Sequence, residues 1–143
     1  MVYETKAEKI PLVTEINYVE KYLELQKIRT TNPNYVNFEV LGNPQNLTIA
    51  PMIFFPFIEN AFKHTENNKK SNTIEIKLFI TEKAINFECR NTYQIGSDKN
   101  KDFGGLGNEL IEKRLKLLYP ENHSLKINNT NEIYDVKLTL YEN

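Results

Sequence analysis

Four polar side chains interrupt the most apolar segment of the sequence. The stretch PFIENAFKHT, residues 56–65, carries Glu59, Asn60, Lys63 and His64 among phenylalanine, isoleucine and alanine. Residues three and four positions apart are neighbours on one side of a helix, so this spacing predicts one compact polar patch. Its chemistry is that of oxygen ligands for a hard cation beside a positive charge for phosphate.

The patch has two interpretations. A solvated face of a core helix is the commoner reason for charges on a helix. Such a face usually favours lysine and glutamate, whereas Asn60 beside Glu59 adds an amide oxygen, and Lys63 adds a cation for phosphate. Mg²⁺ takes few protein oxygens and keeps waters and substrate phosphates, so one amide and one carboxylate are enough. From the helix alone, both interpretations stay open.

Composition limits the possible classes of protein. The chain has 143 residues, 40% hydrophobic and 26% charged, which is enough for one domain with its own core. Lys plus Arg total 18 and Asp plus Glu total 19, so no basic surface for nucleic acid is expected. No apolar run is long enough to span a bilayer, and no membrane contact is expected. Cys89 is the single cysteine, and the alternation of INFEC predicts a buried, unreactive thiol in a reducing, intracellular location.

Two segments have the apolar pattern of helices before the middle of the chain. Residues 10–31 have a possible cap at Thr14. Residues 50–65 are apolar almost all round; Pro51 suits a first helical position, and Pro56 should bend the helix because it removes a backbone hydrogen bond. The first helix has two apolar stripes, Leu12, Ile16, Val19 and Leu23 on one side and Tyr18, Tyr22 and Leu25 on the other.

Five segments alternate as strands, and a third helix follows a glycine-rich loop. The helix is LGNELIEKRLKLLYP, which stops at Pro120. The strands are NYVNFEVLG, TIEIKLFI, AINFECRN, HSLKINNT and EIYDVKLTLYE, the last four forming two hairpins. This order predicts an α+β fold, a two-layer sandwich of a five-stranded, mixed but mostly antiparallel sheet with about three helices on one face.

The glycines before the third helix are a second candidate for chemistry. Gly104, Gly105 and Gly107 leave backbone amides free at a helix start, which attracts anions. Taken alone, an ordinary glycine-rich loop is the better explanation. Asn108 can cap the helix or contact a phosphate, and capping is favoured.

Three segments together resemble one family. APMIFFPFIENAFKHT resembles the N box of the LytS-type sensor histidine kinases: proline, apolar residues, proline, an apolar pair, Glu-Asn-Ala, then Lys-His. IPLVTEINYVEKYLELQKIR is similar to the segment before that box, and GLGNELIEKRLKLLYP resembles the family's lid and following helix, with its Arg114 and Leu115 pair. The resemblance implies one ATP-binding domain of the Bergerat type across 1–143, with the N box helix at 50–65 and the ATP lid at 92–107.

The resemblance also implies roles for the residues. Asn60 would hold the Mg²⁺ that bridges the phosphates of ATP, Glu59 would polarise the attacking group, and Lys63 would approach the phosphates. His64 belongs to the same cofactor-binding pattern, with a structural part favoured. The lid residues that would close over the triphosphate are Gly104, Gly105, Gly107 and Asn108.

The sequence departs from the family at the base site. Asn91 stands where the family has an aspartate that accepts a hydrogen bond from the adenine amino group, and Tyr93 replaces a glycine. An asparagine oxygen still accepts this hydrogen bond but without charge assistance, so weaker ATP binding is expected. Leu110 occupies the apparent position of an asparagine in the family's lid helix.

The implied function is that of the catalytic domain of a two-component sensor histidine kinase. Its γ-phosphoryl group would pass to a histidine on an upstream segment of the same parent protein and then to a response regulator. His64 and His123 are the only histidines and neither suits that role, so we expect a fragment that does not autophosphorylate alone. The resemblance further implies a cytoplasmic domain, an inner-membrane anchor in the parent protein, and a homodimer of the full-length protein.

Two other functions stay open. Asn91 and Tyr93 favour a degenerate kinase domain that acts as a non-catalytic signalling or dimerisation module. A stand-alone ATPase or a kinase of protein serine is the third, because fold alone does not decide function. Whether the second stripe of the first helix meets other helices or is covered within the domain is also open.

Overall fold

Strands and helices follow one another along the chain in the predicted order. The computed structural model describes residues 9–29, 32–65, 73–93 and 106–141. The elements within these ranges are β1 Ile10–Pro11, α1 Leu12–Ile28, β2 Val36–Leu41, β3 Thr48–Ile49, α2 Phe55–His64, β4 Ile74–Ile80, β5 Ala84–Thr92, α3 Leu106–Leu118, β6 His123–Thr130 and β7 Ile133–Tyr141.

The main sheet confirms the predicted fold class. Within the described ranges it has five strands in the order β2-β4-β5-β7-β6, with β2 and β4 parallel and all other neighbours antiparallel. Both predicted hairpins are present. The second turns through Asn131 and Glu132, whose φ angles of 53° and 64° are those of a two-residue turn that follows the strand twist.

The two faces of the sheet differ in polarity because alternate residues of a strand point to opposite sides. The inward residues are mostly apolar, and the apolar ones share one core with residues from all three helices, among them Ile16 of α1, Ile58 of α2 and Leu115 of α3. The outer face carries opposite charges directly across the strands, with Glu75 opposite Arg90, Lys77 opposite Glu88, Arg90 opposite Asp135 and Glu88 opposite Lys137. The helices therefore cover one face, as predicted.

Helix α1 begins at Leu12, two residues before the predicted cap. The Leu12 amide donates to Leu47 O over 2.8 Å, beside the antiparallel pairing of β1 with β3, and Pro11 at the N-cap makes no side-chain cap. The prediction of a cap at Thr14 is wrong because a tertiary hydrogen bond starts the helix instead. The helix ends at Ile28, short of the predicted residue 31.

The two predicted stripes of α1 have different environments. All four residues of the first stripe are buried in the core. In the second stripe, Tyr22 makes edge-on contacts with Phe55 and Phe62 of α2 at 5.6 and 5.7 Å between ring centres, whereas Tyr18 and Leu25 are exposed. Among the described residues, Tyr22 is therefore the one member of the second stripe that other side chains cover. No helix in these ranges combines the length and apolar character needed to cross a bilayer.

The cysteine of β5 is buried as predicted. Cys89 lies with Ile85 and Phe87 on the inner face, and its Sγ is 3.8 Å from Phe57 O. Burial, with a smaller effect of the negative charge of Asp135, raises the pKa of the Cys89 thiol to about 12. The thiolate, which is the reactive form, is therefore strongly disfavoured in the folded protein at neutral pH.

We expect the folded protein to resist thiol reagents. Cys89 should react with DTNB at neutral pH only as fast as the domain opens, and at the rate of a free thiol in denaturant, which absorbance at 412 nm measures. The matched control is Glu88→Cys in a Cys89→Ala background, because residue 88 is exposed on the same strand. Equal rates for the two native proteins would contradict the burial of this thiol.

Candidate functional site

Helix α2 starts after a turn and not at the first proline of the motif. Its first residue is Phe55, and Pro56 lies in its first turn. Proline is tolerated there because the first amides of a helix have no partner within the helix. The predictions that Pro51 begins the helix and that Pro56 bends it are both wrong, since Met52 adopts φ 62° and a helix cannot continue through that conformation.

The position of α2 is fixed by its contacts with β5. The ring of Phe54 stacks on Phe87 with centres 4.4 Å apart and planes inclined by 10°, and Phe57 O lies next to Cys89 Sγ. Four further helical residues advance about 6 Å, close to the rise of two strand residues. The last turn of α2 therefore approaches the end of β5 at Asn91.

The four polar residues of α2 do not share one environment. Asn60 is half-buried, Glu59 and Lys63 are exposed, and His64 is buried with 1% of its surface exposed. Successive helical residues are rotated by about 100°, which places His64 with the core side of the helix and Asn60 at the boundary. The four residues therefore do not form the single patch that was expected. His64 is buried with the core side of the helix, as a structural role would require.

Glu59 lies on the side of α2 that faces α1. Burial raises the pKa of Tyr22, and the negative charge of Glu59 adds to this rise. The carboxylate is thus close enough to the phenol of α1 for an electrostatic effect. Asn60, one residue further, is turned away from that side by about 100°. Glu59 and Asn60 therefore lie on opposite borders of the exposed surface of the helix.

Asn91 is buried at the end of the sheet that α2 approaches. Its side chain is 1% exposed, and its Nδ2 donates to Thr92 O over 3.1 Å. The register places it between Ile74 of β4 and Tyr134 of β7. The amide nitrogen is engaged within the chain, which leaves the oxygen as the atom suited to accept from a ligand.

Tyr93 extends the same end of the sheet. Its backbone amide donates to Glu132 O over 3.0 Å, and its hydroxyl hydrogen-bonds with the Asn129 side chain of β6. The ring is half-buried and packs against the core. Tyr93 therefore connects the end of β5 to the tip of the second hairpin.

The predicted lid is largely beyond what the structure describes. Gly104 and Gly105 lie outside the described residues. Gly107 and Asn108 belong to the first turn of α3, but their burial and the Asn108 side chain are also outside this description. Their predicted phosphate contacts stay predictions.

Sequence reasoning missed a set of polar residues that holds the turn before α2. Glu15 Oε1 accepts from Met52 N over 3.0 Å, and Arg114 donates to Met52 O over 3.2 Å and to Pro51 O over 2.5 Å. The Tyr119 hydroxyl accepts from Ala50 N over 3.0 Å. One signal was available, because Glu15 stands at helical spacing from Leu12 and Val19 and thus belongs to the buried stripe of α1.

The environment of Glu15 is unusual for a carboxylate. Its side chain is fully buried, and Oε2 has no hydrogen-bond partner among the described residues. Burial raises the pKa of Glu15, while the Met52 amide and the charge of Arg114 act against that rise. Removal from water is thus the dominant effect on this group.

A metal ion at α2 would need further ligands from phosphate and water. Within the described ranges, no three His, Cys, Asp or Glu side chains come together as a metal site. The donor set near Asn60 is one amide oxygen with Glu59 nearby, which fits a Mg²⁺ ion that takes its other ligands from phosphate and water.

A groove of about 260 Å³ elsewhere in the fold, between α3 and β6, is lined by Glu112, Lys116, His123, Leu125 and Ile127.

Comparison with known proteins points to one class. No protein-family model matches the chain. A sensor protein kinase of Staphylococcus aureus, HptS, is 29% identical over 96 residues, which cover 66% of this chain and 18% of HptS. The chain therefore spans less than a fifth of the length of this curated relative.

Solved structures share the fold over nearly the whole chain. The nucleotide-free catalytic domain of the histidine kinase ThkA matches with a TM-score of 0.65 and 16% identity, over 94% of this chain and 96% of that domain. ThkA in complex with the response regulator TrrA matches with a TM-score of 0.60 and 17% identity, over 95% of this chain and 42% of that chain. The fold is thus that of histidine kinase catalytic domains.

The raised pKa of Glu15 predicts how its contribution to stability varies with pH. The folded state binds a proton at Glu15 more tightly than the unfolded state, so this contribution is fully present below the unfolded pKa and is lost as pH rises through the folded pKa. The free energy of unfolding of wild type minus that of Glu15→Gln should therefore fall as pH rises. Urea titrations across the acidic to neutral range measure this difference. A constant or rising difference would contradict the prediction, and Glu20→Gln, at an exposed position of α1, is the control.

Proposed function

We propose that this chain is the ATP-binding catalytic domain of a sensor histidine kinase of the LytS type. The observation that carries the proposal is the packing of α2 on β5, where Phe57 O lies 3.8 Å from Cys89 Sγ, two residues before the buried Asn91 on that strand. The fold of histidine kinase catalytic domains and the similarity to HptS support it. The N box sequence that contains Glu59 and Asn60 supports the assignment to the LytS type.

ATP would lie between the end of β5 and the boundary face of α2. The Asn91 oxygen accepts from the adenine amino group, because the Asn91 nitrogen is engaged with Thr92 O. The half-buried Asn60 would hold Mg²⁺ through its amide oxygen, and the exposed Lys63 would supply positive charge beside the phosphates. When bound, Mg²⁺ would supply positive charge that offsets the charge of the phosphates. Glu59 orients and polarises the group that attacks the γ-phosphate.

The phosphoacceptor belongs to another part of the parent protein. His64 is buried against the core, so its ring is not presented for phosphoryl transfer, and His123 lies on the edge strand β6, in the groove beside α3 and not on α2. We propose that a histidine on an upstream segment of the parent protein receives the γ-phosphoryl group. A response regulator then receives it, as the complex of ThkA with a response regulator supports. The full-length protein would be a homodimer, with this domain in the cytoplasm and an anchor in the inner membrane.

One observation favours a second candidate, a non-catalytic signalling or dimerisation domain. Tyr93 fills a position where the family has glycine, and its hydrogen bond with Asn129 holds the ring at the proposed base site. A ring in that place takes space that a glycine leaves to the nucleotide. The two candidates differ in one measurable property, the Mg²⁺-dependent binding of ATP.

Loss of the Asn60 amide should remove the metal-dependent part of ATP binding. Calorimetric titration of wild type with ATP should show tighter binding in Mg²⁺ than in EDTA, and Asn60→Ala should lose about tenfold or more in the Mg²⁺ arm alone. The reason is that alanine offers no oxygen to the ion. Asn17→Ala, at an exposed position of α1, is the matched control. Absence of ATP binding by wild type would refute the kinase proposal and favour the second candidate.

Restoring the family's charge at the base site should have opposite effects on binding and stability. Asn91→Asp should bind ATP about fivefold more tightly, because a charged acceptor makes the stronger hydrogen bond with the amino group. The free protein should lose about 1–3 kcal/mol of stability, because residue 91 is buried and the carboxylate has no ligand to satisfy it.

The measurements are ATP and GTP titrations with parallel urea melts. GTP has no amino group at the corresponding position of the base edge, so its affinity should not improve. A gain for both nucleotides would argue against the role of Asn91 in base recognition.

A further inference from the structure

Met52, one turn before α2, has hydrogen bonds from other helices to both its backbone amide and its backbone carbonyl. Glu15 of α1 accepts from the Met52 amide at 3.0 Å, and Arg114 of α3 donates to the Met52 carbonyl at 3.2 Å. Arg114 also reaches Pro51 O at 2.5 Å. The side chains of two helices therefore bind the donor and the acceptor of one residue in front of a third helix.

Met52 has a backbone conformation that is unfavourable for a residue other than glycine. Met52 has a φ of 62°, in the left-handed region that non-glycine residues rarely adopt. Its side chain is 47% exposed, so packing of the methionine gives little to offset the strain. The contacts with Glu15 and Arg114 are the evident reason that this conformation persists.

The conformation at Met52 decides how α2 enters the core. Phe54 O accepts from Phe57 N at 3.1 Å and from Ile58 N at 3.2 Å, so the helix is already formed immediately after the turn. Asn60 follows Phe55 by about one and a half turns. A small rotation at Met52 is thus carried along a rigid element to the Asn60 amide.

We propose that Glu15 and Arg114 are positioning residues for Asn60, which set the rotation of α2 that presents its amide to the metal-nucleotide complex. The inference rests on the proposed function of the domain, and it deepens that function by adding two residues that contact no nucleotide. Because both act on the single residue Met52, their effects on nucleotide affinity are coupled and not additive. A purely structural role would lower stability and leave the affinity of the folded protein unchanged.

The test is a double-mutant cycle read by ATP titration in Mg²⁺ and in EDTA. Glu15→Met, which removes the acceptor for the Met52 amide, and Arg114→Gln should each weaken binding about fivefold in Mg²⁺ and leave binding in EDTA unchanged, since the latter does not use the Asn60 oxygen. The double variant should lose clearly less than the product of the two single losses. Arg114→Lys, which keeps the charge, should recover part of the loss. Each titration is made at a temperature where circular dichroism shows the variant folded.

Control variants and a backbone variant complete the experiment. Glu20→Gln and Lys113→Gln change exposed residues of the same two helices and should bind as wild type does. Met52→Gly should fold, because glycine adopts a positive φ without strain, and should make Arg114→Gln less harmful to binding. This variant keeps the test decisive should Glu15→Met fail to fold.

The outcomes separate the inference from the function on which it rests. Wild type that binds ATP with Mg²⁺, together with folded Glu15 and Arg114 variants that bind equally well, overturns the positioning role alone. Losses of equal size in Mg²⁺ and in EDTA, or losses that simply multiply, also overturn it. Wild type that binds no ATP overturns the proposed function and the inference with it.

Discussion

The packing of α2 on β5 is the contact on which the arrangement of the domain depends. A helix of ten residues is marginal by itself in water, so its position must come from tertiary contacts. The stack of Phe54 on Phe87 and the approach of Phe57 to Cys89 provide them. This packing determines which residues of α2 are left at the boundary of the core. The half-buried Asn60 is among them.

Polar groups around this contact are distributed according to the cost of removing them from water. Glu59 and Lys63 keep their charges exposed, while the buried Asn91 is neutral and satisfied in part by Thr92 O. Glu15 is the exception, a carboxylate within an apolar stripe, and its pKa is raised as a result. A buried acidic side chain of this kind is tolerated because backbone amides and Arg114 face it. Its presence shows that the turn before α2 needs an acceptor that apolar packing does not provide.

The strands and the general course of the helices were predictable from sequence because each has a period. Alternation identified β2 and both hairpins, and the spacing of Leu12, Ile16, Val19 and Leu23 identified the buried side of α1. The strands β1 and β3 have two residues each, which is too short for any period to show. The same pairing moved the start of α1 away from Thr14, because the partner of the Leu12 amide is Leu47, distant in sequence.

The candidate site was predictable in composition and less so in geometry. Residue types and spacing identified Asn60, Glu59 and Lys63 as candidates. They did not predict that His64 is buried apart from these residues, because contacts with β5 set the rotation of α2. The start of α2 was misjudged because the sequence rules for proline do not report the positive φ of Met52. That angle depends on groups from α1 and α3, which only the tertiary structure brings together.

The parallel pairing of β2 with β4 has a consequence for the order in which the domain assembles. The hairpins β4–β5 and β6–β7 join neighbours in sequence, whereas β2 pairs with β4 across a crossover connection that contains β3 and α2. Closing the longer loop loses more chain entropy before any contact is gained, so this pair closes after the hairpins. We therefore expect α2, which lies within this connection, to reach its final position on the sheet after the hairpins have formed.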